Sequence, residues 1–464
     1  MKSNTTCKKS KNPIDVLMEG MYPRLFPENL ILSPHLNEVY ELALAYYESN
    51  ILSEDELVEN GAYFVRVGDR MTRHFQMCTG EPLRLPMHSS SRLRSFFEKN
   101  QFRTGYATHG LFPYRGKFHP QMIKALINIM GLKPGDTILD PMMGSGTVPI
   151  EASLMGVNSI GIDASPFCRF LTQTKYNALA ISQKPLDEAL KNAEDLFKLF
   201  SEAVGVPVSG SKIRNHSRKT EFSEVNESNA TFKPDIVLRL SDRIGDVNRH
   251  VLDFLLLAYL DSAGYSERSK RKPPMEQFKA ILERYVFVVK KIQYILDGSE
   301  SLLAAADIQQ GDARSMNIED VCVDGILFSP PYSFAIDYLA NDSFHLKIMG
   351  ENIERLKANM VGLRGKTLKE KYLFYIEDMS KILAECARVL KPERFCTIII
   401  GTNDSQLSNA LDVPEEKVKG LHKIIIDLAQ PFGLSHVRTL ERQILGMANT
   451  MRHEYIVTLL KTCS

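Results

Sequence analysis

The segment Ser329-Pro330-Pro331-Tyr332 places a hydroxyl, two prolines and an aromatic ring directly after the strand-like run 324–328. Proline fixes the backbone φ angle and removes an N–H donor, so carbonyl groups here can face a ligand without competing donors. The Ser329 hydroxyl and the Pro330 carbonyl could accept both N–H groups of a planar amine while Tyr332 stacks on its ring. The alternative interpretation is a strand end punctuated by prolines.

A second motif has the order strand, glycine turn, helix. The run 135–139 is of strand type, and the run 148–155 has helical periodicity. Glycine lets a ligand approach backbone that a Cβ atom would block, and a carboxylate beside the turn suits a ligand that carries an ammonium group. The spacing matches neither the dinucleotide nor the nucleoside-triphosphate fingerprint, and a purely structural turn is the alternative. The candidate binding residues are Asp140, Pro141, Gly144, Ser145, Gly146 and Thr147.

Asp163 ends the next strand-like run, 159–163. A carboxylate roughly 20 residues after a glycine turn is well placed to accept hydrogen bonds from ribose hydroxyls. Asp163 could also be the N-cap of a helix that begins near Ser165-Pro166, since proline favours the first helical position. The two roles are compatible.

Together these motifs resemble the amino-methyltransferases that use S-adenosylmethionine to methylate an exocyclic nitrogen of a nucleobase. The resemblance spans about 109–164 and 306–461. It implies S-adenosyl-L-methionine as cofactor, with the glycine loop around its methionine part and Asp163 on its ribose. It also implies that Asp312 reaches the adenine amine, and that the leader segment with Lys117 and His119 closes over the cofactor. The Ser329-Pro330-Pro331-Tyr332 loop is then the catalytic loop that holds the target amine.

A serine at the first position of that loop is the form associated with cytosine-N4 enzymes of restriction-modification systems. The resemblance therefore implies transfer of a methyl group to an exocyclic amine of a base in double-stranded DNA, most simply cytosine N4, with the base flipped out of the stack. Many cytosine-N4 enzymes have the two motifs in the reverse order, so an adenine-N6 enzyme or an RNA base-amine enzyme stays open as an alternative. A non-catalytic nucleic-acid-binding protein is the remote alternative. A cognate restriction endonuclease is a further partner that the resemblance raises.

The formal net charge of the 464 residues is +1, so a nucleic-acid surface would have to be local. Basic residues follow the catalytic loop, and a second cluster precedes Pro273-Pro274. Such clusters are often simply solvated faces, but the one after the catalytic loop is the better candidate for phosphate contacts. The predicted nucleic-acid-binding residues are Arg355, Lys357, Arg364, Lys366, Arg268, Lys270 and Arg271.

The patterns predict an α/β fold, a Rossmann-like seven-stranded class I methyltransferase sheet with helices on both faces. We divide the chain into an N-terminal accessory region, two parts of a catalytic domain, and a helical insertion between them that we interpret as a target-recognition element, with a lid or a dimer contact as alternatives. The accessory region is 1–100, the two parts of the catalytic domain are 101–180 and 306–464, and the insertion is 181–305. Further strands are predicted at 306–309, 325–328, 395–400, 433–445 and 454–460, and helices at 36–49, 186–204, 247–263, 275–296 and 368–390, with an exposed loop at 210–232.

The composition indicates a cytoplasmic protein. Seven cysteines are dispersed without a Cys-x-x-Cys pair, which favours reduced thiols and argues against a structural metal site. The polar first ten residues do not predict a secretory signal, and no run of residues has the length and apolarity of a membrane span. The sequence leaves the oligomeric state open.

Overall fold

The computed structural model describes residues 24–34, 36, 38–79, 93–94, 105–114, 116–204, 248–268, 273–297, 303–331, 338–443 and 453–463. The loop predicted at 210–232 lies outside this part of the chain. Within the described residues, no helix has the length and apolar character needed to cross a membrane.

A seven-stranded sheet forms the centre of the fold, in the order β6-β5-β4-β7-β8-β10-β9. The first five strands are parallel, and β10 runs antiparallel to both of its neighbours. This is the predicted α/β sheet, including its terminal antiparallel pair. The strands are β4 (Thr137–Asp140), β5 (Asn158–Asp163), β6 (Ala306–Gln310), β7 (Val323–Phe328), β8 (Leu390–Thr402), β9 (Leu434–Gln443) and β10 (His453–Lys461).

Helices cover both faces of this sheet. The described α-helices are α1 (Val39–Ile51), α2 (Glu54–Asn60), α3 (Arg73–Cys78), α4 (Pro120–Ile129), α5 (Thr147–Leu154), α6 (Pro166–Ala178), α7 (Gln183–Lys191), α8 (Ala193–Val204), α9 (Arg249–Arg268), α10 (Pro274–Asp297), α11 (Tyr338–Met349), α12 (Ile353–Asn359), α13 (Leu368–Val389), α14 (Asp404–Leu411) and α15 (Leu421–Ala429). The single helix predicted over 186–204 is wrong in one respect, because Asn192 ends α7 and separates it from α8.

The central strands alternate between two hydrophobic layers. Leu327, Ile399 and Ile456 face a layer that contains α4, whereas Ile326 and Ile398 face a layer that contains α13 and α15. Because successive side chains of a strand point to opposite faces, a sheet covered on both sides has continuously apolar strands. All six residues of β7 are buried, as that arrangement requires.

The pairing of β4 with β7 sets the position of the two sequence motifs. Ile138 pairs with Gly325 and Leu139 with Ile326, in parallel. Neighbouring strands lie about 4.8 Å apart, so the glycine turn after β4 and the loop after β7 leave the same edge of the sheet side by side. The two loops are thus neighbours although the chain between them includes β5, β6 and the helical insertion.

The first described residues form a small three-stranded sheet with α1, α2 and α3 beside it. Its strands are β1 (Leu30–Leu32), β2 (Phe64–Val67) and β3 (Arg70–Met71). Leu44 and Phe64 of this unit share one hydrophobic cluster with Leu126 of α4 and Leu327 of β7. The unit therefore packs on one layer of the central fold.

The insertion helices α7 to α10 belong to another shared cluster. Phe200 and Phe278 pack in the same apolar core as Phe167 of α6 and Leu346 of α11. These two helices follow β5 and the catalytic loop, respectively. The described part of the insertion therefore borders the helices nearest to the candidate site, and its role in target recognition stays a prediction.

A buried carboxyl joins the N-terminal unit to α4. Glu48 accepts hydrogen bonds from the backbone N–H of Ala62 at 3.0 Å and from Asn128 Nδ2 at 2.6 Å. Burial raises the pKa of Glu48 from 4.5 to about 7, in spite of these hydrogen bonds. The folded state therefore holds a proton that the unfolded chain would release between these two pH values.

We expect Glu48→Gln to remove part of the pH dependence of stability. A folded-state pKa above the unfolded value gives stability that is present below pH 4.5 and is lost as the pH rises through about 7. That component amounts to at most about 3 kcal/mol. Urea unfolding at pH 5 and pH 8 would measure it, with Glu188→Gln on the exposed side of α7 as the control. Equal pH dependence in wild type and Glu48→Gln would contradict the assignment.

Candidate active site

The glycine loop between β4 and α5 depends on backbone conformations that favour glycine. Gly144 and Gly146 have φ angles of 50° and 77°, in the left-handed region. A Cβ atom on Gly146 would lie 2.4 Å from the Thr172 Cγ2 atom of α6. The second glycine therefore allows α6 to pack directly against the loop.

Polar side chains behind the loop hold its carbonyl groups. Thr172 Oγ1 donates to the Gly144 carbonyl at 3.2 Å, and Lys175 Nζ donates to the Ser145 carbonyl at 3.0 Å. Lys175 is fully buried, and burial together with the nearby charge of Lys117 lowers the pKa of Lys175 well below its ordinary value. Both side chains were missed by the motif analysis, although Lys175 sits at helical spacing from the buried Leu171 and Ala178 and so carries a sequence signal.

Asp140 presents a buried carboxylate oxygen at the start of the loop. Its Oδ1 accepts from the backbone N–H of Met142 at 3.1 Å, whereas Oδ2 has no hydrogen-bond partner among the described residues. Burial raises the pKa of Asp140 well above its ordinary value, and the neighbouring Asp163 adds to this effect. A buried acid in this state is stabilised as an anion when a cation binds beside it.

Asp163 at the end of β5 ties the two strand ends together. Its Oδ2 accepts from the Gly144 backbone N–H at 2.9 Å, and its Oδ1 accepts from the Ser165 N–H at 2.8 Å. The N-cap of α6 is Ser165, whose Oγ accepts from Cys168 N, so the N-cap role considered for Asp163 is wrong. Burial raises the pKa of Asp163 in spite of the two amide donors. Each carboxylate oxygen keeps a further lone pair with which it can accept a hydrogen bond from a hydroxyl group.

Asp312, directly beyond β6, belongs to a chain of charged contacts. Arg314 donates to Asp312 at 2.9 Å and 2.7 Å and to the buried Asp378 at 3.0 Å, and Arg364 donates to Asp378 at 2.5 Å. Burial raises the pKa of Asp312, but the hydrogen bonds and charge of Arg314 outweigh it and hold that pKa below its usual value. Asp378 was also missed, although a carboxylate between the core residues Tyr375 and Ile382 of α13 is a recognisable signal.

The leader segment places Lys117 and His119 next to α4. Lys117 Nζ donates to the His109 carbonyl at 3.0 Å, and burial, with the charge of Arg284, lowers the pKa of Lys117 to about 8. His119 is the N-cap residue of α4, without a side-chain capping bond. Their contact with a cofactor stays a prediction.

His109 of the leader segment is buried against α5. Its Nε2 lies 2.6 Å from Glu151 Oε1, and both side chains are fully buried beside Lys124. Burial lowers the pKa of His109 to about 4 in spite of Glu151. The neutral ring therefore joins the leader segment to α5.

The described part of the catalytic loop begins where β7 ends. Ser329 Oγ lies 3.4 Å from the Pro330 carbonyl oxygen, so the two acceptors required by the sequence hypothesis are adjacent. Tyr375 of α13, another residue missed from the sequence, donates from its hydroxyl to the Pro331 carbonyl at 3.1 Å. Tyr332 lies outside the described residues. This hydrogen bond holds the backbone of Pro331 against α13.

The predicted nucleic-acid-binding residues divide into distinct groups. Arg355 and Lys357 lie on α12, and Lys366 is exposed just before α13. Arg364 is committed to Asp378 and stacks 4.7 Å from the centroid of the Phe374 ring. Arg268 is the last residue of α9, and Lys270 and Arg271 lie outside the described residues.

Comparison with known proteins agrees with this architecture. Residues 111–233 match the UPF0020 family model, described as RMKL-like, methyltransferase domain. Over 436 aligned residues the chain is 23% identical to the Type II methyltransferase M.MjaII of Methanocaldococcus jannaschii, covering 75% of this chain and 78% of the relative. It is 24% identical to the Type II methyltransferase M.BsoBI of Geobacillus stearothermophilus over 55% of each chain.

Two other similarities are narrower. A tRNA (guanine(10)-N2)-dimethyltransferase of Methanothermobacter thermautotrophicus is 37% identical over 73 residues, which cover 16% of this chain and 22% of that protein. Among solved structures, a SAM-dependent methyltransferase from Methanosarcina mazei has a TM-score of 0.31 at 11% identity, covering 72% of this chain and 95% of that one. The strand order itself defines the fold.

The sheet order is that of the class I methyltransferase fold, and residues 111–233 match a methyltransferase domain, so S-adenosylmethionine is the expected cofactor. The Type II methyltransferase relatives confirm the resemblance to the S-adenosylmethionine-dependent amino-methyltransferases that the two motifs carry.

The residues present fit this cofactor. The uncompensated Oδ2 of Asp140 suits the methionine ammonium group, and the left-handed Gly144 has no side chain in the turn beside it. Asp163 lies at the end of β5 and Asp312 just beyond β6, and their contacts with the ribose and the adenine amine stay predictions.

We expect Asp140→Asn to weaken binding of S-adenosylmethionine and to stabilise the unliganded protein. A hydrogen bond to a charged group contributes about 1.5–3 kcal/mol, so affinity should fall roughly 10- to 100-fold. The unliganded variant should unfold at a higher temperature at pH 8, because burial disfavours the Asp140 charge. Calorimetric titration and thermal unfolding would measure both effects. Asp136→Asn, near the start of β4, is the matched control, and unchanged affinity in Asp140→Asn would refute the ammonium site.

We expect Gly146→Ala to be much more damaging than Gly131→Ala. Both glycines have positive φ angles, of 77° and 72°, so both variants incur a left-handed backbone cost of about 1–2 kcal/mol. At Gly131 the new methyl group meets nothing within 4 Å, whereas at Gly146 it collides with Thr172. Cofactor affinity and thermal stability should therefore fall further in Gly146→Ala. Indistinguishable variants would show that the contact between the loop and α6 is unimportant.

Proposed function

We propose that the protein transfers a methyl group from S-adenosylmethionine to an exocyclic amine of a flipped base in double-stranded DNA, with cytosine N4 as the favoured target. The observation that carries the proposal is the parallel pairing of β4 with β7. It puts the cofactor loop and the Ser329-Pro330-Pro331 segment at adjacent strand ends. The similarity to two Type II methyltransferases supports DNA as the polymer.

The chain supplies two hydrogen-bond acceptors for the amine. The nitrogen of such an amine is a weak nucleophile, because its lone pair is delocalised into the ring. If its two N–H groups donate to Ser329 Oγ and to the Pro330 carbonyl, the nitrogen is drawn towards tetrahedral geometry and its lone pair is directed out of the ring plane. When bound, S-adenosylmethionine supplies an electrophilic methyl group. Orientation of the amine by these two acceptors then accounts for most of the acceleration.

Tyr375 contributes to this orientation through its hydrogen bond to the catalytic loop. Its hydroxyl holds the Pro331 carbonyl at 3.1 Å, and the ring itself is fully buried in α13. The carbonyl of Pro331 is therefore turned towards α13. The preceding Pro330 carbonyl accepts from the Ser329 hydroxyl at 3.4 Å and keeps a second lone pair for the amine. Tyr332 has the stacking role on the flipped base, as the sequence hypothesis assigns it.

The DNA backbone would contact the basic residues that follow the catalytic loop. Arg355, Lys357 and Lys366 are the members of this set that we retain as phosphate contacts. Arg364 is bound to the buried Asp378, so we assign it to the positioning of α13 instead. A cognate restriction endonuclease would share the recognition sequence without needing a contact with this chain.

A second candidate is methylation of guanine N2 in tRNA. It is favoured by the 37% identity over 73 residues with a tRNA (guanine(10)-N2)-dimethyltransferase. This similarity covers 22% of that protein. The chemistry at the amine would be the same, but the polymer would differ. Adenine N6 in DNA is the remaining alternative for the target atom.

One experiment separates these functions. The purified protein is incubated with methyl-labelled S-adenosylmethionine and either plasmid DNA or bulk tRNA, and the nucleosides are then analysed by mass spectrometry. We expect N4-methylcytosine in DNA. N6-methyladenine would change the target base, and N2-methylguanine in tRNA would overturn the DNA proposal.

We expect Ser329→Ala to reduce the methylation rate strongly, and Tyr375→Phe to reduce it about three- to tenfold, as loss of one neutral hydrogen bond predicts. Neither variant should change the affinity for S-adenosylmethionine, because neither residue belongs to the cofactor loop. Steady-state rates on plasmid DNA and calorimetric titration would measure these effects. Ser49→Ala and Tyr294→Phe, both remote from the loop, are the controls. Full turnover in Ser329→Ala would exclude the proposed site.

A further inference from the structure

The leader segment turns at Phe112 in a backbone conformation that a residue with a side chain rarely adopts. The φ angle of Phe112 is 62°, in the left-handed region. Its ring makes T-shaped contacts with Phe167 of α6 and with His345 of α11, at centroid distances of 5.2 Å and 5.0 Å. A strained conformation of this kind persists only where the surrounding structure holds it, so the contacts of Phe112 determine the path of the leader segment.

The insertion holds this turn through a buried tyrosine. The Phe112 backbone N–H donates to the Tyr285 hydroxyl of α10 at 2.6 Å, and that hydroxyl donates to Asp261 Oδ2 of α9 at 3.0 Å. Arg284 donates to the same carboxylate oxygen at 3.2 Å. Burial raises the pKa of Tyr285 well above its ordinary value, so the hydroxyl keeps the proton that it donates. The hydrogen bonds therefore run in one direction from the leader segment into the insertion.

The turn at Phe112 sets the position of Tyr114 beside the cofactor loop. The Tyr114 backbone N–H donates to the Phe112 carbonyl at 3.0 Å. The Tyr114 hydroxyl lies 3.3 Å from Cys168 Sγ of α6, and a Cβ atom on Gly144 would lie 3.7 Å from the Cε1 atom of the Tyr114 ring. The half-buried ring of Tyr114 therefore lies next to the glycine turn, and its position depends on the turn at Phe112.

We propose that Tyr285 is a positioning residue for the cofactor site. It acts through Phe112, because it holds the turn that places Tyr114 beside the glycine loop. The helical insertion thus supports binding of S-adenosylmethionine, in addition to the role in target recognition that the sequence predicts for it. This inference rests on the cofactor chemistry of the proposed function and is independent of the target base and of the polymer.

Tyr285→Phe tests this role, because it removes one hydroxyl group and leaves the ring. Loss of the hydrogen bond to the Phe112 amide should weaken binding of S-adenosylmethionine about tenfold in a calorimetric titration. Tyr259→Phe is the matched control. Tyr259 is also buried in the insertion, and its hydroxyl donates to Ser201, another residue of the insertion, at 3.3 Å. The control should match wild type in its affinity for the cofactor.

Two further measurements separate positioning from a general loss of stability. Amide hydrogen exchange over residues 105–114 should be faster in Tyr285→Phe and unchanged in Tyr259→Phe, because only the first variant removes the acceptor of the Phe112 N–H. In steady-state methylation, Tyr285→Phe should raise the KM for S-adenosylmethionine about tenfold and leave kcat within about twofold of wild type, since a saturating cofactor restores the occupied site.

A double-mutant cycle tests whether Tyr285 acts through Tyr114. If it does, Tyr285→Phe should weaken cofactor binding much less in a Tyr114→Ala background than in wild type. Asp261→Asn is a second variant that keeps the Tyr285 hydroxyl and replaces its charged acceptor by a neutral one. Hydrogen bonds to charged groups are the stronger ones, so Asp261→Asn should give a smaller loss of affinity in the same direction.

The results distinguish this inference from the proposed function. If wild type binds S-adenosylmethionine and Tyr285→Phe binds it equally well, the inference is wrong and the function stands. The same conclusion follows if Tyr259→Phe loses as much affinity, or if the effects of Tyr285→Phe and Tyr114→Ala simply add. If wild type itself does not bind S-adenosylmethionine, the proposed function fails and the role of Tyr285 fails with it.

Discussion

The parallel pairing of β4 with β7 is the constraint on which the rest of the site depends. Two strands that are far apart along the chain become neighbours in the sheet, and both are followed by loops at the same edge. Because a parallel pair requires a crossover connection, the chain must leave the edge through α5, β5 and the insertion before it returns through β7. The strands and helices between the two motifs in sequence therefore do not lie between the two loops.

Buried charges prepare the cofactor side of this edge. The unliganded fold keeps Asp140 and Lys175 away from water, and burial disfavours the charged form of both. The buried Asp140 carboxyl reduces stability until a cationic ligand group compensates it, whereas Lys175 is held by the Ser145 carbonyl. Burial also disfavours the charge of Asp163, but its two amide hydrogen bonds join the glycine loop to the start of α6.

The target side of the edge is organised by α13. Its Asp378 receives Arg314 from the segment after β6 and Arg364 from the segment before the helix, while Tyr375 holds Pro331. One helix thus connects the strand end near the expected adenine site with the catalytic loop. A buried ion pair of this kind contributes little net stability, but removal of one partner is costly, so it fixes the relative position of the elements that share it.

The sequence by itself determined the class of fold, the cofactor loop and the approximate limits of most elements, because glycine turns, apolar strands and capping residues act over a few positions. Residue type and spacing predict Asp140 and Ser329 as site residues. Lys175, Tyr375 and Asp378 were decided by tertiary structure, since each acts on a residue that is distant in sequence or on a backbone carbonyl that no pattern encodes. Local geometry decided between Asp163 and Ser165 as the N-cap of α6. It also decided that the helix predicted over 186–204 is interrupted at Asn192. Side-by-side placement of the two loops was beyond any local pattern, because strand order in a sheet depends on how the whole chain packs.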